Sequence, residues 1–229
     1  MAHYWILGNS DGIGLATTEA LLGEGHQITG LSRSASPIAH EQYQHHQLDV
    51  ASEAYVSELK RLMETEGLPD VVIYCVGMWA PCRIRKMDKE SHVFQVNLTA
   101  AVQLLEIVVP PMATRESGQV LILSSVADEV FSPDNPAYAS TKAGLSRYVE
   151  SLALRVRKRN VFLTNMRFGF VDTKLASAPT KPFEMTRDKA AKHVLKALRK
   201  KPVRYSTPLR MLILVRLLHW WGRIRVFWN

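Results

Sequence analysis

Tyr138 and Lys142 are four positions apart, so on a helix both side chains project from the same face. A phenol with an ordinary pKa of about 10 is a poor proton donor or acceptor at neutral pH. A lysine ammonium close to the phenol favours the phenolate and lowers that pKa toward the working range. The pair therefore predicts a general acid/base, although a surface lysine beside a packed tyrosine has the same spacing.

Ser124 and Ser125 follow an apolar run, residues 118–123, that is typical of a buried strand. Open parallel sheets bind ligands at the carboxyl ends of their strands. A serine hydroxyl at such an end is placed to hold the carbonyl oxygen of a substrate. Taken by itself, however, Ser125 is more typical of a helix cap or a turn residue.

A glycine-rich turn, residues 8–14, lies between an apolar strand-like run and a predicted helix. In this context glycines let the backbone approach a pyrophosphate, and the helix N-terminus offers free N–H groups to the anion. The alternative is that Gly12 and Gly14 only allow the helix to pack closely on the strand. The G-x-x-x-G-x-G spacing also differs from the G-x-G-x-x-G of the commonest dinucleotide-binding turns.

Apolar runs and helical patterns alternate along the chain. Strands are predicted at residues 3–7, 26–31, 44–48, 70–75, 118–123 and 161–166. Helices are predicted at residues 13–23, 51–66, 89–115, 135–158 and 187–200. This alternation indicates right-handed βαβ crossovers. It predicts one doubly wound α/β domain of the Rossmann type over residues 1–200, with a mostly parallel sheet and helices on both faces, and an extension over residues 201–229.

The composition of the 229 residues excludes several classes of protein. A hydrophobic share of 47% excludes a disordered chain, and two cysteines are too few for a disulfide scaffold. The apolar start without a basic region predicts no signal peptide, and together with the few cysteines it predicts a cytoplasmic protein. The sequence predicts no metal site.

Positive charge is concentrated near the C-terminus, where residues 181–229 hold 13 of the 29 Lys and Arg but only 2 of the 21 Asp and Glu. Residues 209–228 are apolar and cationic, and their uncharged runs are too short to span a membrane. On a helix Arg216, His219 and Arg223 share one face.

Three tryptophans among the arginines of residues 209–228 are typical of a helix that lies on an anionic membrane surface. The alternative is a lid that packs on the body of the protein or on a second subunit. Both interpretations favour a lipophilic substrate. Nucleic-acid binding is not expected, because these tryptophans are embedded among aliphatic residues and do not form a stacking platform.

Four features together resemble the short-chain dehydrogenase/reductase family. They are the glycine turn at residues 8–14, Asn97, Ser125 placed thirteen residues before the tyrosine, and the Tyr138/Lys142 pair. The resemblance covers roughly residues 3–200. It implies an oxidoreductase that uses a nicotinamide cofactor and forms dimers or tetramers through the helices around residues 97–115 and 138–158.

The resemblance implies a role for each of the four side chains. Tyr138 would be the general acid/base, and Lys142 would bind the nicotinamide ribose hydroxyls and lower the tyrosine pKa. Ser125 would polarise the carbonyl or alcohol, and Asn97 would anchor a water that links Lys142 to solvent. The resemblance also implies a set of cofactor-binding residues, to which the end of the second predicted strand adds Ser32 and Arg33. The whole set is Gly8, Asn9, Ser10, Gly12, Ile13, Gly14, Ser32, Arg33, Asp49, Val50, Gly77, Asn97, Tyr138, Lys142, Gly169, Val171 and Thr173.

The end of the second predicted strand bears on the choice of nucleotide. NAD-preferring relatives usually place an acid there, which accepts a hydrogen bond from the ribose 2′-OH. No Asp or Glu occurs between Gly25 and Glu41, whereas Ser32 and Arg33 suit a 2′-phosphate. NADP(H) is therefore predicted over NAD(H), with the carboxylate of Asp11 in the glycine turn as a mild objection.

Three positions depart from the family's usual pattern. Leu7 stands in place of Thr, residues 74–77 read Tyr-Cys-Val-Gly in place of Asn-Asn-Ala-Gly, and Phe168 stands in place of Pro. The first two changes suggest apolar contacts in place of hydrogen bonds. The favoured prediction is an NADPH-dependent reductase of a lipophilic ketone or aldehyde. The alternative is a catalytically silent NADP(H)-binding sensor.

Overall fold

The computed structural model describes residues 1–85, 87–175 and 180–228 of the chain. Its centre is a sheet of seven strands, all parallel, in the order β3-β2-β1-β4-β5-β6-β7. The strands are β1 (His3–Leu7), β2 (Gln27–Ser32), β3 (Tyr43–Gln47), β4 (Val71–Tyr74), β5 (Gly118–Ser125), β6 (Val161–Phe168) and β7 (Arg204–Thr207). The order reverses between β1 and β4, which is where such sheets bind ligands at their carboxyl edge.

Seven α-helices accompany the strands in the described ranges. They are α1 (Gly12–Gly23), α2 (Tyr55–Glu66), α3 (Glu90–Phe94), α4 (Ala100–Thr114), α5 (Pro136–Val156), α6 (Arg187–Lys200) and α7 (Leu209–Trp228). A π-helical turn, Gln95–Thr99, joins α3 to α4, and a 3₁₀ turn, Val126–Glu129, follows β5.

Two apolar cores lie on opposite faces of the sheet. Successive side chains of a strand point to opposite faces, so in β1 Trp5 belongs to the core under α2, α4 and α5, and Ile6 belongs to the core under α1 and α6. Both side chains are completely buried. Burial on both faces is the reason that central strands such as β1, β4 and β5 read as nearly continuous apolar runs. The predicted fold class, a doubly wound α/β domain with helices on both faces, is confirmed.

The seventh strand was not predicted and lies beyond residue 200. β7 pairs with β6 from Asn165 opposite Arg204 to Phe168 opposite Thr207. The sheet therefore includes residues that the sequence analysis assigned to the C-terminal extension, and the boundary after residue 200 does not coincide with the edge of the sheet. The strand has four residues, Arg-Tyr-Ser-Thr, at the sheet edge, and this polar run lacks the apolar signal that the central strands carry.

Element ends differ from the predicted ones by up to four residues. The largest difference is at α2, which begins at Tyr55 rather than at residue 51. The side chain of Asp49 accepts a hydrogen bond from Ala51 N at 2.9 Å, and its carbonyl accepts one from Ser52 N at 3.1 Å. These bonds hold the segment before α2 in a turn.

One helical run among the described residues, Glu90–Thr114, is long and apolar enough to cross a membrane, and half of its apolar window is buried inside the protein. Its buried side chains, such as Leu104 and Val108, belong to one of the two cores of the sheet.

Candidate active site

The catalytic side chains predicted from the sequence meet at the carboxyl end of β5. Ser125 is the last residue of β5, and its hydroxyl lies close enough to that of Tyr138 to lower the pKa of the phenol. Ser125 Oγ also accepts a hydrogen bond from Ala127 N at 3.1 Å, which caps the 3₁₀ turn after β5. The cap and the contact with the tyrosine are therefore properties of the same side chain.

Lys142 lies one helical turn after Tyr138 on α5 and is buried. Its Nζ is 5.8 Å from the centre of the Tyr138 ring and donates a hydrogen bond to Leu123 O at 3.1 Å. Burial lowers the pKa of the ammonium to about 8, while Asp128 and Cys75 oppose this shift. An ammonium with three donors and one hydrogen bond among the described residues is suited to bind further hydroxyl groups.

The pKa of Tyr138 is raised above its usual value. Burial is the largest cause; the neighbouring Ser125 hydroxyl lowers the pKa, and the Asp128 carboxylate raises it. The lowering that the sequence analysis expected from Lys142 is thus not achieved by the protein groups alone. At neutral pH the phenol is protonated and able to donate.

Asn97 occupies the π-helical turn between α3 and α4 and is completely buried. Its Oδ1 accepts a hydrogen bond from Met78 N at 2.7 Å, and its Nδ2 donates to Met78 O at 2.8 Å and to Thr141 Oγ1 at 3.2 Å. Asn97 therefore ties the loop after β4, which carries Gly77, to α5. A Cβ on Gly77 would lie 3.8 Å from Lys142 Nζ. The role of Asn97 in anchoring a water remains a prediction.

Two stretches of backbone lie in direct contact within the glycine turn. Gly8 and Gly12 have φ angles of 81° and 58°, which favour glycine, and a Cβ on Gly14 would lie 2.1 Å from Gly8 O. Asp11 caps α1 by accepting a hydrogen bond from Gly12 N at 2.7 Å. A Cβ on Gly12 would lie 3.1 Å from Thr173 Cγ2, so the loop after β6 lies against the turn.

Replacing Gly14 with Ala is expected to lower the free energy of unfolding by about 1–3 kcal/mol, the usual cost of an overpacked site. The new methyl group meets a backbone oxygen that cannot move without opening the turn. Urea denaturation measures the loss, and dinucleotide binding is expected to weaken with it. Gly23→Ala is the control, because a Cβ there meets no atom within 4 Å. Wild-type stability and binding in Gly14→Ala would contradict this description of the turn.

The end of β2 adjoins the glycine turn, because Gly8 N donates a hydrogen bond to Leu31 O at 2.7 Å. Arg33 is exposed directly after β2, and its guanidinium makes no hydrogen bond or ion pair with the part of the chain that the structure describes. Ser32 Oγ donates to Ser34 O at 2.7 Å. Asn9 is buried and donates to the Tyr43 hydroxyl at 2.7 Å, whereas its Oδ1 has no partner among the described residues.

All the predicted site residues belong to the described ranges. They lie in the loops after β1, β2, β3, β4 and β6, at the end of β5, at the start of α1, and on the helical run through Asn97 and α5. Parallel strands bring these ends to one edge of the sheet. This arrangement fits a dinucleotide. The close-packed glycine turn would hold the pyrophosphate, and the buried ammonium of Lys142 at one end of the site would hold the nicotinamide ribose. The guanidinium of Arg33, unpaired within the described ranges, lies at the other end.

A buried ion-pair network beneath the site was missed by the sequence analysis. Arg167 on β6 is 2% exposed, and its Nη2 is 2.6 Å from Asp128 Oδ1 and 2.5 Å from Glu129 Oε1. Ser146 on α5 donates to Asp128 Oδ2 at 2.6 Å, and Ser146 Oγ is 2.9 Å from Ser124 Oγ. The network joins the ends of β5 and β6 to α5. The only sequence signals were an arginine inside an apolar strand and two acids just after Ser125.

The first turns of α7 pack beside the site. Met211 and Val215 are buried in a small apolar cluster with Val126, the residue after Ser125. Farther along, His219 Nδ1 lies 2.5 Å from Glu129 O and its ring stacks on Phe131. The predicted charged face is therefore divided, because His219 faces the body while Arg216 and Arg223 are exposed.

Comparisons with known proteins agree with this geometry. The family model described as short chain dehydrogenase matches residues 2–182. The chain is 28% identical over 189 residues to the short chain dehydrogenase AdrF of Penicillium roqueforti, covering 76% of this chain and 71% of that protein. It is 26% identical over 182 residues to the 3-oxoacyl-(acyl-carrier-protein) reductase FabG of Vibrio cholerae, covering 76% and 75%.

Solved structures share the fold at lower identity. A short-chain dehydrogenase from Sphingobium yanoikuyae in complex with NADPH has a TM-score of 0.81 and 18% identity, covering 91% of this chain and 89% of that one. A 4-hydroxyisoleucine dehydrogenase complexed with NADH has a TM-score of 0.79 and 18% identity, covering 90% and 96%. By its sequence match and its seven-stranded parallel sheet, the chain belongs to the short-chain dehydrogenase/reductase family of NAD(P)-dependent oxidoreductases.

Proposed function

We propose that this protein reduces a lipophilic ketone or aldehyde to an alcohol with NADPH. The observation that supports this most is that Ser125 and Tyr138 lie together at the end of β5, with the buried ammonium of Lys142 5.8 Å from the tyrosine ring. A donor pair of this kind at the carboxyl end of a central strand is suited to a carbonyl oxygen. The lipophilic class is supported by the apolar side chains of α7 beside the site.

In the proposed reaction each protein group has a limited task. Bound NADPH supplies a hydride to the carbonyl carbon. Ser125 and Tyr138 hold the carbonyl oxygen by hydrogen bonds, and the phenol gives its proton to that oxygen as the alcohol forms. Lys142 holds the ribose and places a positive charge near the resulting phenolate. Asn97 keeps the loop after β4 in register with α5.

The preference for NADPH is supported by Arg33. The guanidinium is exposed at the end of β2 with no partner in the described ranges, and the nearest acid in the glycine turn, Asp11, is paired with Lys174 at 2.8 Å. That pairing weakens the objection that Asp11 would repel a 2′-phosphate.

Arg33→Ala is expected to raise the Kd for NADPH roughly 10- to 100-fold, since hydrogen bonds to charged groups contribute about 1.5–3 kcal/mol. The Kd for NADH should stay nearly unchanged, because NADH lacks the 2′-phosphate. Fluorescence titration of the reduced nicotinamide measures both constants. Arg155→Ala, which removes an exposed arginine from α5, is the charge-matched control. Equal loss of both nucleotides in Arg33→Ala would contradict a 2′-phosphate contact.

The silent-sensor alternative was suggested by Leu7 and Val76. Leu7 is completely buried in the core with Tyr74, and Val76 packs against the same core beside Gly8. Apolar packing thus takes the place of the family's usual hydrogen bonds, as expected, without altering Ser125 or the helix that carries the tyrosine. Neither position therefore favours a loss of catalysis.

The proposed function is tested by titrating the purified protein with NADPH and NADH, followed by NADPH oxidation against a panel of lipophilic and polar aldehydes and ketones. Turnover with NADPH is expected, fastest with lipophilic carbonyls. Tight binding of NADPH without turnover across the panel would replace the reductase with the silent sensor. Failure to bind either nucleotide would overturn both.

Members of the family commonly form oligomers, and we propose a homodimer or homotetramer through α4 and α5. The outer face of α5 exposes two large side chains, Tyr148 and Leu154, at 37% and 69%. Exposed apolar side chains on a long helix are suited to pairing with a second copy. Cytoplasmic location remains the prediction made from the sequence.

A further inference from the structure

Exposed apolar side chains are concentrated around the carboxyl edge of the sheet. The loop after β4 exposes Ile84 at 89% and Met87 at 58%. The loop after β5 exposes Phe131 at 52%, and the loop after β6 exposes Leu175 and Phe183 at 39% and 46%. Three loops that surround Ser125 and Tyr138 therefore present large apolar groups to the outside.

The helix α7 adds a larger apolar surface to the same edge. Its inner face is already used, because Met211 and Val215 are buried against the body and a Cβ on Gly222 would lie 2.7 Å from Phe131 Cδ2. The remaining surface exposes nine large hydrophobic side chains, including both Trp220 at 65% and Trp221 at 59%. A patch of this size indicates a binding surface rather than a solvated face.

The charges on α7 indicate what binds there. Arg210, Arg216 and Arg223 are exposed among the aromatic side chains, and residues 209–228 contain no acid. In a two-fold contact between copies this helix would meet itself, and its arginines would approach one another without carboxylates. Tryptophans at the level of the headgroups and arginines beside anionic phosphates are the chemistry of a helix in a membrane interface.

We propose that α7 and the apolar loops at the carboxyl edge, the apolar rim, bind an anionic membrane surface with the active site turned toward the lipid. The helix is held to the body at Met211 and Val215, next to Val126 and Ser125. Binding through the rest of α7 thus places the site at the bilayer. Entry of a lipophilic carbonyl from the membrane rests on the proposed reductase function, whereas the membrane contact does not.

The test uses the full-length protein and flotation with vesicles of phosphatidylcholine alone or mixed with phosphatidylglycerol. Binding is expected to the anionic vesicles and to be at least about tenfold weaker to the neutral ones, since each arginine near an anionic surface contributes about 1 kcal/mol. The paired charge reversal Arg216→Glu and Arg223→Glu should abolish the difference between lipids. Trp220→Ser with Trp221→Ser should remove binding itself.

The matched control reverses two exposed charges on other helices, with Lys60→Glu on α2 and Lys192→Glu on α6, and should bind vesicles as the parent protein does. NADPH binding by each variant shows that it is folded and keeps this test apart from failure of the proposed function. Absence of flotation with anionic vesicles overturns the proposal. A second outcome also overturns it: the parent protein does not bind vesicles, and the tryptophan variant changes its oligomeric state. That outcome would assign α7 to a contact between copies.

Discussion

Tyr138→Phe is expected to reduce NADPH-dependent carbonyl reduction by about 10²–10⁴-fold, the usual contribution of a general acid. The substitution removes only the hydroxyl beside Ser125 and keeps the half-buried ring. NADPH affinity should change little, because Lys142 and the glycine turn are untouched. Steady-state kinetics at saturating NADPH, with a parallel binding titration, measure both quantities.

Tyr148→Phe is the control for this substitution. Tyr148 lies on the same helix, 37% exposed, and its loss of a hydroxyl should leave the rate unchanged. Full activity in Tyr138→Phe would remove the phenol from the mechanism. A lost rate together with lost NADPH affinity would instead indicate a structural role for the tyrosine.

The rate of carbonyl reduction by the parent enzyme should fall toward alkaline pH. Reduction requires the protonated phenol, and the pKa of Tyr138 is raised by burial, so the acid form is present at neutral pH. The ammonium of Lys142 has a pKa lowered by burial to about 8. The rate of reduction should therefore fall as the pH rises above about 8, and show no loss from these two groups below it.

Arg167→Met is expected to lower the free energy of unfolding by about 3–5 kcal/mol, the usual cost of removing one partner of a buried ion pair. Asp128 is 4% exposed and would lose its cation, whereas Glu129 would keep Arg204, whose Nη1 is 4.0 Å from Glu129 Oε1. Urea denaturation measures the change. The loss should be smaller at low pH, since burial already raises the pKa of Asp128 above its ordinary value, removal of the arginine raises it further, and protonation then relieves the buried charge.

Two further variants make this prediction specific. Arg159→Met breaks a pair with Glu116 in which both side chains are about two-thirds exposed, and it should cost less than about 1 kcal/mol. Adding Asp128→Asn to Arg167→Met should restore part of the lost stability, because it removes the unpaired carboxylate. Equal, small effects of the two arginine substitutions would show that the buried network contributes no more than a surface pair.

Much of the fold is predictable from short-range patterns. The strand 3–7 and the helix 187–200 were predicted with the bounds that the structure has, because an apolar run between turns and an amphipathic run after a cap are local signals. The members of the candidate site follow from the same patterns. Once parallel strands are recognised, all their carboxyl ends must lie at one edge of the sheet, so residues as distant as Gly14 and Tyr138 are brought to that edge.

Other features depend on partners that are far away in the sequence. β7 is a strand because β6 offers it an edge, and its own four residues carry no apolar alternation. The π-helical turn at Asn97 has no sequence signature, and the structure pairs its side chain with Met78 and Thr141. Hydrogen bonding to other elements decides both.

The sequence by itself determined the fold class, the residue types of the candidate site and the cationic, apolar character of residues 209–228. Only the tertiary structure decided that Arg167 is paired with Asp128, 39 positions away, and that α7 buries Met211 and Val215 while exposing its tryptophans. Periodicity and motif spacing report which face of an element is apolar and which groups share it. They do not report which element packs against that face. That contact decides whether a charged side chain or the face of a helix is buried.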